Sequence, residues 1–132
     1  MLSPITQRQF LRVQERYPAA TLTELPSGAA LFTLPCARLP PGWSHGETTI
    51  RFIVPAGYPG PAPDCFWSDT VLRLNGGATP QATQPSNVIP EANITAQWYS
   101  WHVTNAASNW NPNRDDLMTY LSIVLDRFRA LR

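Results

Sequence analysis

The 132-residue chain has two cysteines, Cys36 and Cys65, two histidines, His45 and His102, and a serine two residues before the second histidine in Trp98-Tyr99-Ser100-Trp101-His102. A hydroxyl is a weak nucleophile until an adjacent base takes its proton. Residues two apart share a side of an extended chain, so Ser100 is a candidate nucleophile and His102 its base, an arrangement that would carry an oxyester if acyl transfer occurs. His102 alone can also orient an incoming amine or stabilise an oxyanion. Cys65 ranks below them. A reactive thiol needs an electropositive, partly exposed setting, whereas Cys65 stands beside Phe66 and Trp67 and reads as core packing. Cys36, directly after Pro35 at a strand end, has less to recommend it. Asn87, Asn93, Asn105 and Asn109 are available as oxyanion donors, and nothing in the sequence selects among them. The competing reading is structural: Trp98, Trp101 and Trp110 pack a satellite cluster, with His102 satisfied at its edge.

Several chemistries are excluded. Cys36, His45, Cys65 and His102 lack the short pairwise spacing of structural zinc, so no metal site is expected. There is no phosphate-binding loop and no Gly-x-Ser-x-Gly elbow, and no cofactor is expected. All ten basic residues are arginine, which removes the Schiff-base lysine and the lysine general base. A net charge of +1 without a basic run argues against nucleic acid as partner. No apolar stretch approaches the roughly 18 residues of a membrane span. The segment Met1 to Arg8 lacks the apolar core of a signal peptide, and two cysteines make no disulfide framework, so a reduced, cytoplasmic protein is expected.

The elements that must position these residues follow from pattern. The length suits one domain, residues 1–132. Ser3-Pro4 reads as a helix cap and first position, with Ile5, Phe10, Val13 and Tyr17 on one face until Pro18. Arg8, Arg12 and Arg16 form a basic stripe on the outer face, where Arg8 and Arg12 are candidate partner contacts. Thr21–Leu25, Ala29–Leu34 and Thr48–Val54 read as strands of an antiparallel meander, followed by an interrupted strand, Cys65–Trp67 and Val71–Leu74. Pro55 to Asp64, with four prolines, reads as a rigid, extended surface segment. Asn75 to Gln97 shows no periodicity and reads as a long irregular segment of functional character. Asp115 and Asp116 open a last helix, whose apolar face runs from Leu117 through Tyr120, Leu121, Val124, Leu125 and Phe128. Arg127, Arg129 and Arg132 suit its C-terminal dipole. The expected fold is α+β: N-terminal helix, antiparallel β-meander, long irregular active-site segment, C-terminal helix.

Two markers then point to a family. A strand runs into Tyr58-Pro59-Gly60-Pro61-Ala62-Pro63, and Trp110-Asn111-Pro112 stands just before the last helix. In order and spacing the chain resembles the ubiquitin-conjugating-enzyme fold over nearly its whole length. Leu39-Pro40-Pro41-Gly42, Pro63-Asp64-Cys65-Phe66-Trp67 and Trp98-Tyr99-Ser100-Trp101-His102 look more narrowly like the prokaryotic conjugating-enzyme family E. The resemblance implies a bacterial conjugating transferase, with a ubiquitin-like protein and an activating-enzyme-like protein as partners and a link to antiphage defence. It implies binding roles for Tyr58, Trp98, Tyr99, Trp101 and Trp110. The departures are specific. Pro85-Ser86-Asn87 stands where eukaryotic members have His-Pro-Asn, and no cysteine lies between Asn75 and Trp110. A thioester at the usual place is therefore impossible. Either acyl transfer uses a non-cysteine site around Ser100 and His102, or the chain is a non-catalytic adaptor. A lysine-free surface also leaves no side-chain amine for self-modification.

Overall fold

The computed structural model describes residues 2–106 and 109–132, without the side chains of residues 105 and 106. Asn105, one of the four candidate oxyanion donors, therefore has its side chain outside the described residues.

Helix α1, Pro4–Arg16, starts where the sequence places it: the Ser3 hydroxyl accepts from the Thr6 N–H at 3.1 Å, satisfying a donor that the first helical turn leaves over. The strands β1 (Thr21–Glu24), β2 (Ala30–Arg38), β3 (Glu47–Val54), β4 (Phe66–Ser68), β5 (Thr83–Ile89) and β6 (Ile94–Tyr99) form one six-stranded antiparallel sheet in the order β1-β2-β3-β4-β6-β5. Helix α2 spans Leu117–Arg127. The layout is α+β, with a helix at each end of the sheet-forming chain.

Three expectations about the sheet change. The segment from Asn75 to Gln97 is not irregular, because β5 and most of β6 lie in it. Periodicity is hidden there by a register shift between Gln84 and Asn87 and by prolines that an edge strand tolerates. The sheet is not a plain meander either, since β6 inserts between β4 and β5. Strand β2 does not end at Pro35. A bulge between Leu34 and Ala37 carries Pro35 and Cys36 past the pairing, with Cys36 exposed at φ 56°.

Alternation along the strands sorts the core. Phe32, Phe52, Phe66 and Tyr99 point to one face, where Phe32 stacks on Phe52 (4.5 Å between ring centroids) and Phe66 on Tyr99 (4.6 Å). Both helices cover this face: Phe10 of α1 meets Phe32 edge-on, and Tyr120 of α2 meets Phe52. Burying each such ring contributes about 1.5–3 kcal/mol. The opposite face holds a smaller cluster of Leu25, Ala29, Leu31, Trp67, Ile89 and Ala96. The two ends of α2 are fixed differently. Asp116 and Thr119 form a reciprocal capping box. Asp115 instead accepts from the Asn111 N–H at 2.8 Å, so only one of the two aspartates caps. Arg127 is not a solvated terminal charge: it is 2% exposed, with its guanidinium donating to the carbonyls of Gln81, Ala130 and Arg132 and lying over the Trp43, Tyr99 and Trp101 rings. Among the described residues no helix is long and apolar enough to cross a membrane.

Gln97 is the polar tie within this core. Its Oε1 accepts from the Leu72 N–H (2.8 Å), Ser68 Oγ (3.0 Å) and Tyr99 Oη (3.0 Å), and its Nε2 donates to the Leu72 carbonyl (3.1 Å). Removing it strands buried backbone groups, each at about 1–3 kcal/mol. Gln97→Leu is expected to lower unfolding free energy by about 2–4 kcal/mol, read from the urea midpoint at unchanged slope. A neutral or stabilising result contradicts the role assigned to this side chain.

Candidate active site

Antiparallel pairing sets the start of one strand beside the end of its neighbour. Because Phe66 opens β4 opposite Tyr99, which closes β6, the residues just before the one and just after the other meet. The Cys65 N–H donates to the Trp101 carbonyl at 2.9 Å. The Tyr120 hydroxyl, reaching from α2, donates to the Cys65 carbonyl at 2.9 Å. Asp64 and Cys65 are thereby held against Ser100, Trp101 and His102, although more than thirty residues separate the two segments.

Within this junction His102 is bracketed. Its Nδ1 is hydrogen-bonded to Asp64 Oδ1, and its Nε2 faces Ser100 Oγ at 3.4 Å. An ionised carboxylate only accepts, so Nδ1 is the nitrogen that donates to Asp64, and in the neutral ring the acceptor nitrogen is then Nε2, on the side of the Ser100 hydroxyl. The Asp64 and His102 side chains are 65% and 44% exposed, so the centre is open to solvent. The sequence reading brought Ser100 and His102 together but missed Asp64. The only signal available for it was its place beside Cys65 in Pro63-Asp64-Cys65.

Cys65 is not core. It is half-buried and belongs to neither apolar cluster, because its backbone turns through φ 61°, a conformation uncommon outside glycine. Its sulfur comes within 4.8 Å of both a His102 nitrogen and an Asp64 oxygen. Burial first, and the Asp64 charge second, push its thiol above the ordinary range, against hydrogen bonds from the Trp101 backbone and the Trp98 side chain.

The other candidates fall elsewhere. Tyr58 and Tyr99 are buried, 4% and 1% exposed, so both act in packing rather than as contact surface. Burial pushes the Tyr99 hydroxyl up to about 12. Trp98 and Tyr99 are successive strand residues and take opposite faces. The expected tryptophan cluster is consequently split: Trp101 and Trp110 pack on the main core, and Trp98 on the smaller one. Trp110 donates its indole N–H to the Pro59 carbonyl at 2.8 Å, its ring 5.9 Å from that of Tyr58. The two sequence markers thus touch each other. The stretch from Pro55 to Asp64 is a pair of turns, closed by the Tyr58 N–H on the Pro55 carbonyl and the Gly60 N–H on the Gly57 carbonyl, not an extended strip. Asn87 Oδ1 is engaged by the Trp67 indole at 3.1 Å. Asn93 serves the β5–β6 turn at φ 54°, a role asparagine tolerates well. Asn109 is exposed. His45 is exposed beside Ser44, and Arg8 and Arg12 are exposed on α1.

A family model, prokaryotic E2 family E, matches residues 6–130. The chain belongs to that family. The six-stranded antiparallel sheet and the helices before and after it are consistent with the E2-like fold, and membership points to a role in a conjugation pathway. No curated protein and no solved structure matches the chain.

Thiol reactivity tests the electrostatics of this family E site. A raised thiol leaves little thiolate near neutrality, so Cys65 is expected to alkylate with iodoacetamide more slowly than exposed Cys36, accelerating as pH rises. Asp64→Asn removes the charge that helps raise it, so the Cys65 rate at fixed pH should increase. Peptide mapping by mass spectrometry reads both, and a decrease in Asp64→Asn contradicts the assignment.

Proposed function

We propose that this family E protein accepts the C-terminal acyl group of a ubiquitin-like protein from an activating-enzyme-like partner and passes it to an amine, with Ser100 as acyl carrier. The observation that carries the reading is the placement of His102 between Asp64 and Ser100. Ser100 Oγ attacks the acyl carbonyl while His102 Nε2 takes its proton. The C–S bond of the incoming thioester breaks, and the departing thiolate receives that proton. In the second half an amine attacks the Ser100 oxyester, His102 again accepts a proton, and the serine hydroxyl is restored as the amide forms. Asp64 holds the imidazole and offsets the charge it gains. The exposed arginines of α1, Arg8 and Arg12, are the proposed partner contacts.

A second reading has its own support. Cys65 lies in the same cluster, and a thiol is intrinsically the stronger nucleophile. His102 would then activate sulfur rather than oxygen.

Reconstitution with the activating-enzyme-like protein, ATP and the ubiquitin-like protein decides between them. An adduct that is base-labile, thiol-resistant and absent from Ser100→Ala supports the serine carrier. His102→Ala is expected to slow its formation by about 10²–10⁴-fold. An adduct lost in Cys65→Ala but kept in Ser100→Ala moves the role to sulfur. Retained binding with no adduct in the native protein identifies an adaptor and overturns the transfer reading.

A further inference from the structure

Asp64, Cys65 and His102 each present one donor atom, all within 4.8 Å of one another. Among the described residues no other three histidine, cysteine or acidic side chains converge in this way. One thiolate, one imidazole and one carboxylate is a donor set suited to a borderline-soft divalent ion. Around tetrahedral zinc, with bonds of about 2.0–2.3 Å, such donors stand roughly 3.4–3.6 Å apart. The ligands therefore need adjustments of about an ångström, within the reach of side-chain rotation. The backbone that carries them is already tied: Cys65 N–H to the Trp101 carbonyl, and Tyr120 Oη to the Cys65 carbonyl. The outer contact is also in place. A metal-bound histidine commonly donates its second ring N–H to a neighbouring oxygen, and Ser100 Oγ stands at 3.4 Å from His102 Nε2 while Nδ1 faces Asp64.

We propose that Asp64 Oδ1, Cys65 Sγ and His102 Nδ1 form a zinc site with a fourth position open to water. The sequence spacing hides it, because two ligands are adjacent and the third arrives by strand pairing. Binding converts the Cys65 thiol to thiolate and releases that proton to solvent. The imidazole proton moves from Nδ1 to Nε2, from where it is donated to Ser100. No electron is transferred. A consequence that rests on the proposed acyl-transfer reading is that zinc holds the centre at rest: with Nδ1 on the metal and Nε2 protonated, the imidazole no longer accepts from Ser100, and the thiol is masked.

Cobalt(II) is the probe. Metal-free protein titrated with it is expected to bind one equivalent, showing thiolate-to-cobalt charge transfer and the visible bands of four-coordinate geometry, with one proton released and the bands bleached by zinc. Cys65→Ser should abolish the charge transfer, His102→Ala should abolish saturable binding, and Asp64→Asn should weaken it by about 10-fold or more. Cys36→Ser should bind like the native chain. Thermal unfolding of the same samples separates ligand loss from misfolding, since zinc should raise the midpoint of the native and Cys36→Ser proteins most, that of Asp64→Asn less, and that of His102→Ala not at all. Because Asp64 is exposed, Asp64→Asn keeps the test open should Cys65→Ser fail to fold. Absence of charge transfer, or its survival in Cys65→Ser, overturns the site. The cobalt spectrum reads binding without reference to transfer, so a protein that binds the metal but forms no adduct defeats only the proposed activity.

Discussion

Where the chain leaves its proline-rich turn at Asp64, and where it leaves β6 at Ser100, one backbone hydrogen bond from Cys65 N–H to the Trp101 carbonyl holds both segments. It extends the β4–β6 ladder beyond its last side-chain pair, and the Tyr120 hydroxyl from α2 satisfies the Cys65 carbonyl on the other side. Tyr120 in turn is placed by its edge-on contact with Phe52 and by the capping box that starts its helix. Sheet pairing, helix capping and core packing therefore converge on two residues. An unmade bond at this depth costs about 1–3 kcal/mol, enough to keep the junction closed against thermal opening. The cost of this geometry is the left-handed backbone at Cys65, a strain that tends to gather where surrounding structure enforces it for function.

Much of the fold was legible because its signals are local. The serine cap and Pro4 announce α1, Pro18 follows its end, and the apolar face of α2 has helical period. The strands β1 and β3 were readable to within a residue or so. What was not readable was long-range or irregular. Cys36 and the Gln84–Asn87 shift lie in bulges, where an extra residue breaks alternation and hides strand character. Arg127 looked like a helix-dipole cation because it stands at the helix end together with Arg129 and Arg132, whereas its partners are carbonyls from Gln81, Ala130 and Arg132.

The site divides in the same way. Ser100 and His102 are neighbours in sequence and could be paired by inspection. Asp64 and Cys65 join them only through the insertion of β6 beside β4, a topological fact that no motif in either segment encodes. Likewise, the Tyr-Pro turn and the Trp-x-Pro marker were recognised separately, yet their contact through Trp110 and Pro59 explains why a fold would keep both. Burial also reassigns the aromatic residues: Tyr58 and Tyr99 build the scaffold, while Ser100 and His102 on either side of Trp101 stay partly exposed. The absence of lysine fits the proposed acyl carrier, which without side-chain amines would offer its cargo no internal acceptor.

The central claim is that Asp64 holds His102 so that Nε2 faces Ser100 and takes its proton. Long-range proton–nitrogen NMR of the metal-free protein, labelled at histidine, reads the tautomer of that ring directly. The account predicts that neutral His102 carries its proton on Nδ1 and that Asp64→Asn shifts the population toward Nε2–H. A ring that is Nε2–H in the native protein, or one indifferent to Asp64, would contradict it.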